Sequence, residues 1–254
     1  MNLAVSNLAW DTTNEHQIFK HLNSFGINKI EGVLSKLGNW NTIDSKKIVE
    51  YKNYLNSNSI EINSLQSIFY NTGINDIKET NKIISHIEKL ISLSEILGVK
   101  VLVFGSPNLR KNFVGIDEHL VELFYKIDSL LINTDIELSI EPNMKEYGGD
   151  FFNKIKDIVS FIEDNNFKKI KTMIDTHNLD GEGDDICECF IKHKNLINHI
   201  HVSEKKLSPI SSNENHILFS NELKNSKYSG IITYEVFPND LLIGSIETFK
   251  RIYF

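Results

Sequence analysis

A short apolar run followed by a longer stretch of helical periodicity recurs eight times along the 254-residue chain. Few architectures accommodate that rhythm. Lys100–Gly105 shows the first half of the unit most clearly: Val-Leu-Val-Phe is a near-continuous apolar run, the mark of a strand buried on both faces. Strands are predicted at Leu3–Leu8, Ile27–Leu34, Ile60–Gln66, Lys100–Gly105, Ile136–Glu141, Ile170–Asp175, Asn198–Ser203 and Gly230–Val236. Helices follow them. Asn14–Phe25 places Ile18, Phe19, Leu22 and Phe25 at helical spacing, and Asp44 caps a helix carrying Ile48, Tyr51 and Leu55. Asn75 and Asp76 open a long helix with an apolar stripe from Ile83 to Ile96, stopped by Gly98. The remaining helices are predicted near Ile116–Leu131, Asp150–Asn165, Asp184–Lys194, His216–Asn225 and Leu241–Tyr253. Eight such units predict an α/β fold of the (β/α)8 type, a parallel eight-stranded barrel. An open doubly wound sheet would bring a glycine-rich phosphate turn after its first strand, and Ser6-Asn7-Leu8-Ala9-Trp10 has none. No Gly/Ser-rich or single-charge run divides the chain, so residues 1–254 are read as one domain.

The net charge of −7 argues against nucleic acid and anionic membrane surfaces as partners, since both favour basic proteins. The N-terminus lacks the basic and apolar segments of a signal peptide, and no apolar run reaches eighteen residues. Cys187 and Cys189 stand two apart in a predicted helix, point in different directions and are read as free thiols. A cytoplasmic location is the expectation.

The polar residues at the strand ends carry the chemistry. His199, His201 and Ser203 share one face of a buried strand, where an imidazole without a partner costs free energy. In a barrel of this type the chemistry sits at the C-terminal ends of the strands. There, strands five to eight deliver Glu141, Asp175, His201 and Glu235. Three carboxylates converging alone would repel one another and drive at least one pKa upward. With one divalent ion (Mn2+, Mg2+, Co2+ or Zn2+) the set makes sense. A lone strand-end acid is more often a helix cap, and Asp175 is the most open to that reading; four in consecutive strands are harder to explain so. His201 is nearer the rim, whereas His199 lies roughly 6–7 Å further down the same face, as a packing or supporting group.

Short motifs in a fixed order carry a resemblance over nearly the whole chain. They include Asn7-Leu8-Ala9-Trp10-Asp11, Ile30-Glu31-Gly32-Val33-Leu34-Ser35-Lys36, Ser64-Leu65-Gln66-Ser67-Ile68-Phe69-Tyr70 and Leu102-Val103-Phe104-Gly105-Ser106-Pro107. Ser139-Ile140-Glu141-Pro142-Asn143, Ile174-Asp175-Thr176 and Ile197–Glu204 continue the series. Together they resemble the xylose-isomerase-like TIM barrels of the sugar phosphate isomerase/epimerase family. The resemblance implies one metal ion held by Glu141, Asp175, His201 and Glu235. It also implies that Glu141 and Glu235 flank a bound sugar and exchange the proton next to its carbonyl, through an enediolate. The residue chemistry agrees: a cation draws charge onto the substrate oxygens while one carboxylate takes the proton and the other returns it.

Further residues are assigned to the substrate. Lys36 resembles a family lysine that contacts a substrate oxygen or phosphate. Gln66, with Phe69 and Tyr70 beyond it, forms a sugar platform, and Trp10 is a stacking or wall residue. Arg110 is suited to fork onto a phosphate or carboxylate. Asn143 and Tyr147 belong to the rim, and His177 shares the face of Asp175 if the strand persists. Glu204 is expected to support His201 or reach substrate. The remaining histidines, among them His86 and His216, are read as surface or packing residues. Free-ketohexose epimerases carry an arginine shortly after the strand-seven glutamate; Glu204 is instead followed by Lys205-Lys206-Leu207. That departure favours a phosphorylated or otherwise anionic sugar. The expected activity is therefore a metal-dependent sugar isomerase or epimerase with a small carbohydrate substrate, in a chain that pairs as a homodimer if it follows its relatives. The alternatives are a dehydratase of a ketosugar or inosose on the same site and a non-catalytic carbohydrate-binding barrel. The apurinic endonuclease branch is disfavoured, because strands two to four end in Lys36, Gln66 and Ser106.

Overall fold

The computed structural model describes residues 2–254. Eight parallel strands close on themselves in sequential order: β1 (Asn2–Ser6), β2 (Lys29–Gly32), β3 (Glu61–Leu65), β4 (Val101–Phe104), β5 (Glu137–Ile140), β6 (Ile170–Asp175), β7 (Ile197–Val202) and β8 (Ile231–Tyr234). β8 pairs with β1 from Asn2↔Ile231 to Val5↔Tyr234, which completes a (β/α)8 barrel. The helices that connect and cover them are α1 (Glu15–Ser24), α2 (Ser45–Ser57), α3 (Thr80–Leu97), α4 (Ile116–Leu131), α5 (Ile155–Asp164), α6 (Thr176–Gly181), α7 (Ile186–His193), α8 (Glu214–Asn225) and α9 (Leu242–Tyr253). No helix among the described residues is long and apolar enough to cross a membrane.

Capping chemistry decides where several helices begin and end. Asp44 accepts from the Lys47 amide at 2.9 Å and starts α2, and Gly98, at φ +86, closes α3 in the left-handed conformation. α3 begins later than Asn75/Asp76 suggest. The Glu79 carboxylate accepts from the amides of Asn75 and Asp76, and the Asp76 side chain from that of Lys78, so those residues close a turn before the helix. α5 likewise opens at Ile155 rather than near Asp150, after Phe152 takes a φ of +57. The short α6 directly after β6 is an addition to the single helix that the sequence predicts from Asp184.

Period-two alternation divides each strand between two environments. On β4, Leu102 and Phe104 join the large apolar layer between sheet and helices, while Val101 and Val103 meet Met173 inside the barrel. The outer layer is aromatic at its centre: Phe124 on α4 lies 5.9 Å from Phe104, 6.1 Å from Phe152 and 5.3 Å from Phe161, ring centroid to centroid, all edge-on. Inside, the same alternation stacks the polar residues in layers. Ser139, Met173, His199 and Thr233 are fully buried. Two residues further along each strand come Glu141, Asp175, His201 and Glu235. The barrel thus lifts four side chains, each of a type able to ligate a metal, to one end on a packed floor.

Candidate metal centre

Each of the four groups leaves the end of a strand whose ladder still holds its backbone. The Glu141 amide donates to the Phe104 carbonyl at 3.2 Å and that of Glu235 to Val202 at 3.0 Å. Glu141, Asp175, His201 and Glu235 each offer one donor atom, and these atoms lie within 4.8 Å of one another. His201 Nδ1 is 3.2 Å from Glu141 Oε1, 3.4 Å from Glu235 Oε2 and 3.9 Å from Asp175 Oδ2. The other ring nitrogen, Nε2, donates to Glu31 Oε1 at 2.7 Å. A carboxylate only accepts, so this bond keeps a proton on Nε2 and turns Nδ1 toward the three acids.

Glu31 supports both histidines of β7 from across the barrel. It is wholly buried on β2, and its second oxygen accepts from His199 Nε2 at 2.7 Å and from Ser64 Oγ at 2.6 Å. Burial by itself would raise its pKa, but the imidazoles of His201 and His199 outweigh that and hold it far below the usual carboxylate range. His199 is accordingly a supporting group inside the barrel, with its ring 5.1 Å from that of His201. The one signal for Glu31 in the sequence is an acid between Ile30 and Gly32 in a strand too short to spare a solvent-facing charge.

The acids repel as expected. Burial, followed by the charges of Glu141 and Glu235, pushes Asp175 up to about 7. Burial opposes protonation of His201, yet the carboxylates of Glu31, Glu235 and Glu141 hold its pKa well above the ordinary imidazole value. Asp175 serves two masters: Oδ1 accepts from the Asn178 amide at 2.7 Å as the N-cap of α6 and from Ser203 Oγ at 2.8 Å, leaving Oδ2 toward His201. The cap reading and the ligand reading of Asp175 are therefore compatible. Glu141 and Glu235 are held differently. Asn143 Nδ2 donates to Glu141 Oε2 at 3.0 Å, whereas the Glu235 side chain has no hydrogen bond among the described residues beyond its contact with His201. A Cβ at Gly105 would come 2.1 Å from Glu141 Oε2, so this position accepts only glycine if Glu141 is to keep its place.

Above the cluster opens a cavity of about 1460 Å³, lined by Glu141, Asp175 and Glu235 and by the predicted Lys36, Gln66, Asn143 and His177. Gln66 donates to Ser6 Oγ at 2.5 Å, and Lys36 donates to the carbonyls of Asn7, at 2.6 Å, and Trp10. His177 lies on α6, because the strand stops at Asp175; the expectation that it continues the strand face is corrected. Its Nε2 is buried without a partner even so.

Three further expectations are corrected. Arg110 is fully buried, and its guanidinium donates to the carbonyls of Glu141, Phe152 and Phe104 at 2.8, 3.2 and 2.6 Å; it braces the β4 and β5 loops and presents no fork to a ligand. Trp10 is only 3% exposed, packs edge-on against Phe19 and donates to Glu15 Oε1 at 3.3 Å, so of its two expected roles the stacking one is corrected and the wall one stands. Glu204 turns away from His201: it accepts from His216 Nε2 at 3.3 Å and from Ser211 Oγ at 3.1 Å. Glu31 takes the supporting place assigned to Glu204.

The residues present suit a divalent cation. Three acids and one imidazole converge, the imidazole's far nitrogen is satisfied by a buried carboxylate, and Gly105 leaves room for Glu141. Solved structures with the same fold include 3-keto-D-glucoside 4-epimerase from E. coli, 16% identical, matched over 99% of each chain with a TM-score of 0.80. D-psicose 3-epimerase from Clostridium cellulolyticum H10 is 14% identical, with 100% of this chain and 99% of that one covered and a TM-score of 0.80. A probable 3-DHS dehydratase from Bacillus anthracis is 12% identical over 99% and 98% of the two chains, with a TM-score of 0.73. At such identities these likenesses speak for the fold alone. No curated protein matches the sequence. Residues 19–252 match the profile of a known family. The chain belongs to the xylose isomerase-like TIM barrel family.

Proposed function

We propose that this protein is a divalent-metal-dependent isomerase or epimerase of a carbohydrate, in which Glu141 and Glu235 move a proton at the carbon next to a carbonyl. The convergence of Glu141, Asp175, Glu235 and the Nδ1 of His201 at the floor of a cavity carries the reading. A bound cation would supply positive charge to the substrate oxygens as the proton leaves. Glu31 keeps His201 in the tautomer that faces the cluster, and Asn143 orients Glu141. The Glu235 side chain, with no hydrogen bond among the described residues besides its contact with His201, is the carboxylate assigned to take the proton. Sugar epimerases among the proteins of like fold agree with a small carbohydrate substrate.

The test is a screen of aldoses, ketoses and their derivatives in D2O with added Mn2+, read by exchange at the carbon beside the carbonyl. Exchange that disappears on chelation and in Glu235→Gln supports the proposal. An intact Glu235→Gln protein that exchanges as fast as the parent would refute the role of Glu235. Dehydration is a second reading, because it begins with the same proton abstraction and a probable dehydratase shares the fold. Loss of water from the substrate in the same spectra identifies it.

A further inference from the structure

The candidate metal residues occupy one side of the cavity. Glu141, Asp175, His201 and Glu235 come from β5 to β8, whereas the cavity continues over the ends of β1 to β4. Its volume of about 1460 Å³ exceeds the roughly 300–1,000 Å³ of a typical small-ligand site. A single hexose at the metal residues leaves the β1–β4 side unfilled.

That side is nearly free of charge. Among the lining residues from β1–β4 and the loops after them, Lys36 is the one charged side chain. Its ammonium already donates to two backbone carbonyls. The remaining surface is amide, hydroxyl and hydrocarbon, with Ser35, Gln66 and Asn71 beside Val33, Phe69 and Tyr70. Arg110 is committed to carbonyls and the other lysine of the lining, Lys206, stands in the loop after β7 on the side of the acid cluster, so Lys36 has no second cation beside it with which to cradle a phosphate on this side.

The turn that carries Tyr70 is held at its backbone. Ser67 and Asn71 have φ of +53 and +59, left-handed backbone that a side chain adopts at a cost. From beneath, the Trp40 indole donates to the Tyr70 carbonyl at 2.7 Å, and His86 Nε2 bonds the Ile68 carbonyl at 2.6 Å. Trp40 and His86 are themselves buried and stacked edge-on. Tyr70 meanwhile lines the cavity with 62% of its surface exposed. An open aromatic ring carried by a turn with a fixed backbone offers a ligand a stacking face at a set place in the cavity.

We propose that the β1–β4 side is a subsite for a second, neutral moiety stacked on Tyr70, so that the substrate is a ketosugar in glycosidic linkage rather than a free monosaccharide or sugar phosphate. The identity of the first ring rests on the proton-transfer function proposed above; the subsite itself rests on the cavity. Calorimetric titration of the protein as purified with phenyl glucosides, sucrose and cellobiose, against glucose and glucose 6-phosphate, tests it. At least one neutral glycoside is expected to bind about tenfold more tightly than glucose, and Tyr70→Ala to lose about tenfold of that affinity while Tyr70→Phe keeps it. Glycosides that bind no better than glucose, or tightest binding by the phosphate, overturn the proposal. Glycoside binding that depends on Tyr70, without proton exchange on any ketosugar, leaves the subsite standing and removes the enzymatic function. Exchange on free ketohexoses without glycoside binding does the reverse.

Discussion

Two imidazoles that look alike in the sequence have different work in the barrel, and one buried acid explains both. Glu31 binds His199 with one oxygen and His201 with the other, and only His201 has its second nitrogen on the acid cluster. Glu31→Gln keeps the shape but puts an amide where two N–H groups need a full acceptor. Metal affinity, measured by titration with Mn2+, is expected to fall by about 10–100-fold, the usual effect of losing a ligand's supporting partner. His201→Ala is expected to abolish metal binding, whereas His199→Ala lowers the melting temperature and keeps the ion. Equal metal loss in both would contradict the division. His201 was legible from its place at the end of an apolar run. Glu31 was not, because its two histidine partners lie 168 and 170 residues away and no local spacing marks them.

At the scale of elements, β-strand periodicity predicts which face each residue takes, and the loops are where it runs out. Arg110 and Glu204 both sit in loops after strands, and in both the sequence suggests a rim charge. Instead Arg110 turns inward to three carbonyls, and Glu204 ties the loop after β7 to α8 through His216. His216 Nδ1 in turn bonds the Tyr253 hydroxyl of α9 at 2.8 Å. The hydrogen bond from His216 holds Glu204 below its ordinary value of 4.5, against the opposing pull of burial and with help from Ser211. A depressed carboxylate contributes stability above its unfolded pKa and loses it as pH falls through the folded value. Glu204→Gln is therefore expected to melt at a lower temperature than the parent at pH 7, with the gap closing below about pH 4. Melting curves across that range check it, and a gap that widens in acid would contradict the assignment.

At the scale of the molecule, closure of β8 on β1 turns eight separate strand ends into a ring, and half of that ring carries the acid cluster. An ion there would link four strands that the unfolded chain holds apart. At a hundred times its dissociation constant such a ligand stabilises by about 2.7 kcal/mol, which for a chain of this length raises the melting temperature by roughly 5–10 °C. Scanning calorimetry with Mn2+ and then EDTA measures the gain and its reversal, and no shift would mean that the cluster holds no Mn2+. The repeating strand–helix rhythm was sufficient to specify the barrel, because burial on both faces leaves its mark in consecutive apolar residues. The same rhythm placed Glu141, Asp175, His201 and Glu235 at one end, since every parallel strand in a closed ring points its C-terminus the same way. The sequence does not contain, in any local pattern, which polar groups meet across the barrel. Glu31 under His201, the inward turn of Arg110 and the clamp beneath Tyr70 are contacts between residues far apart in the chain, and only closing the ring brings them within reach.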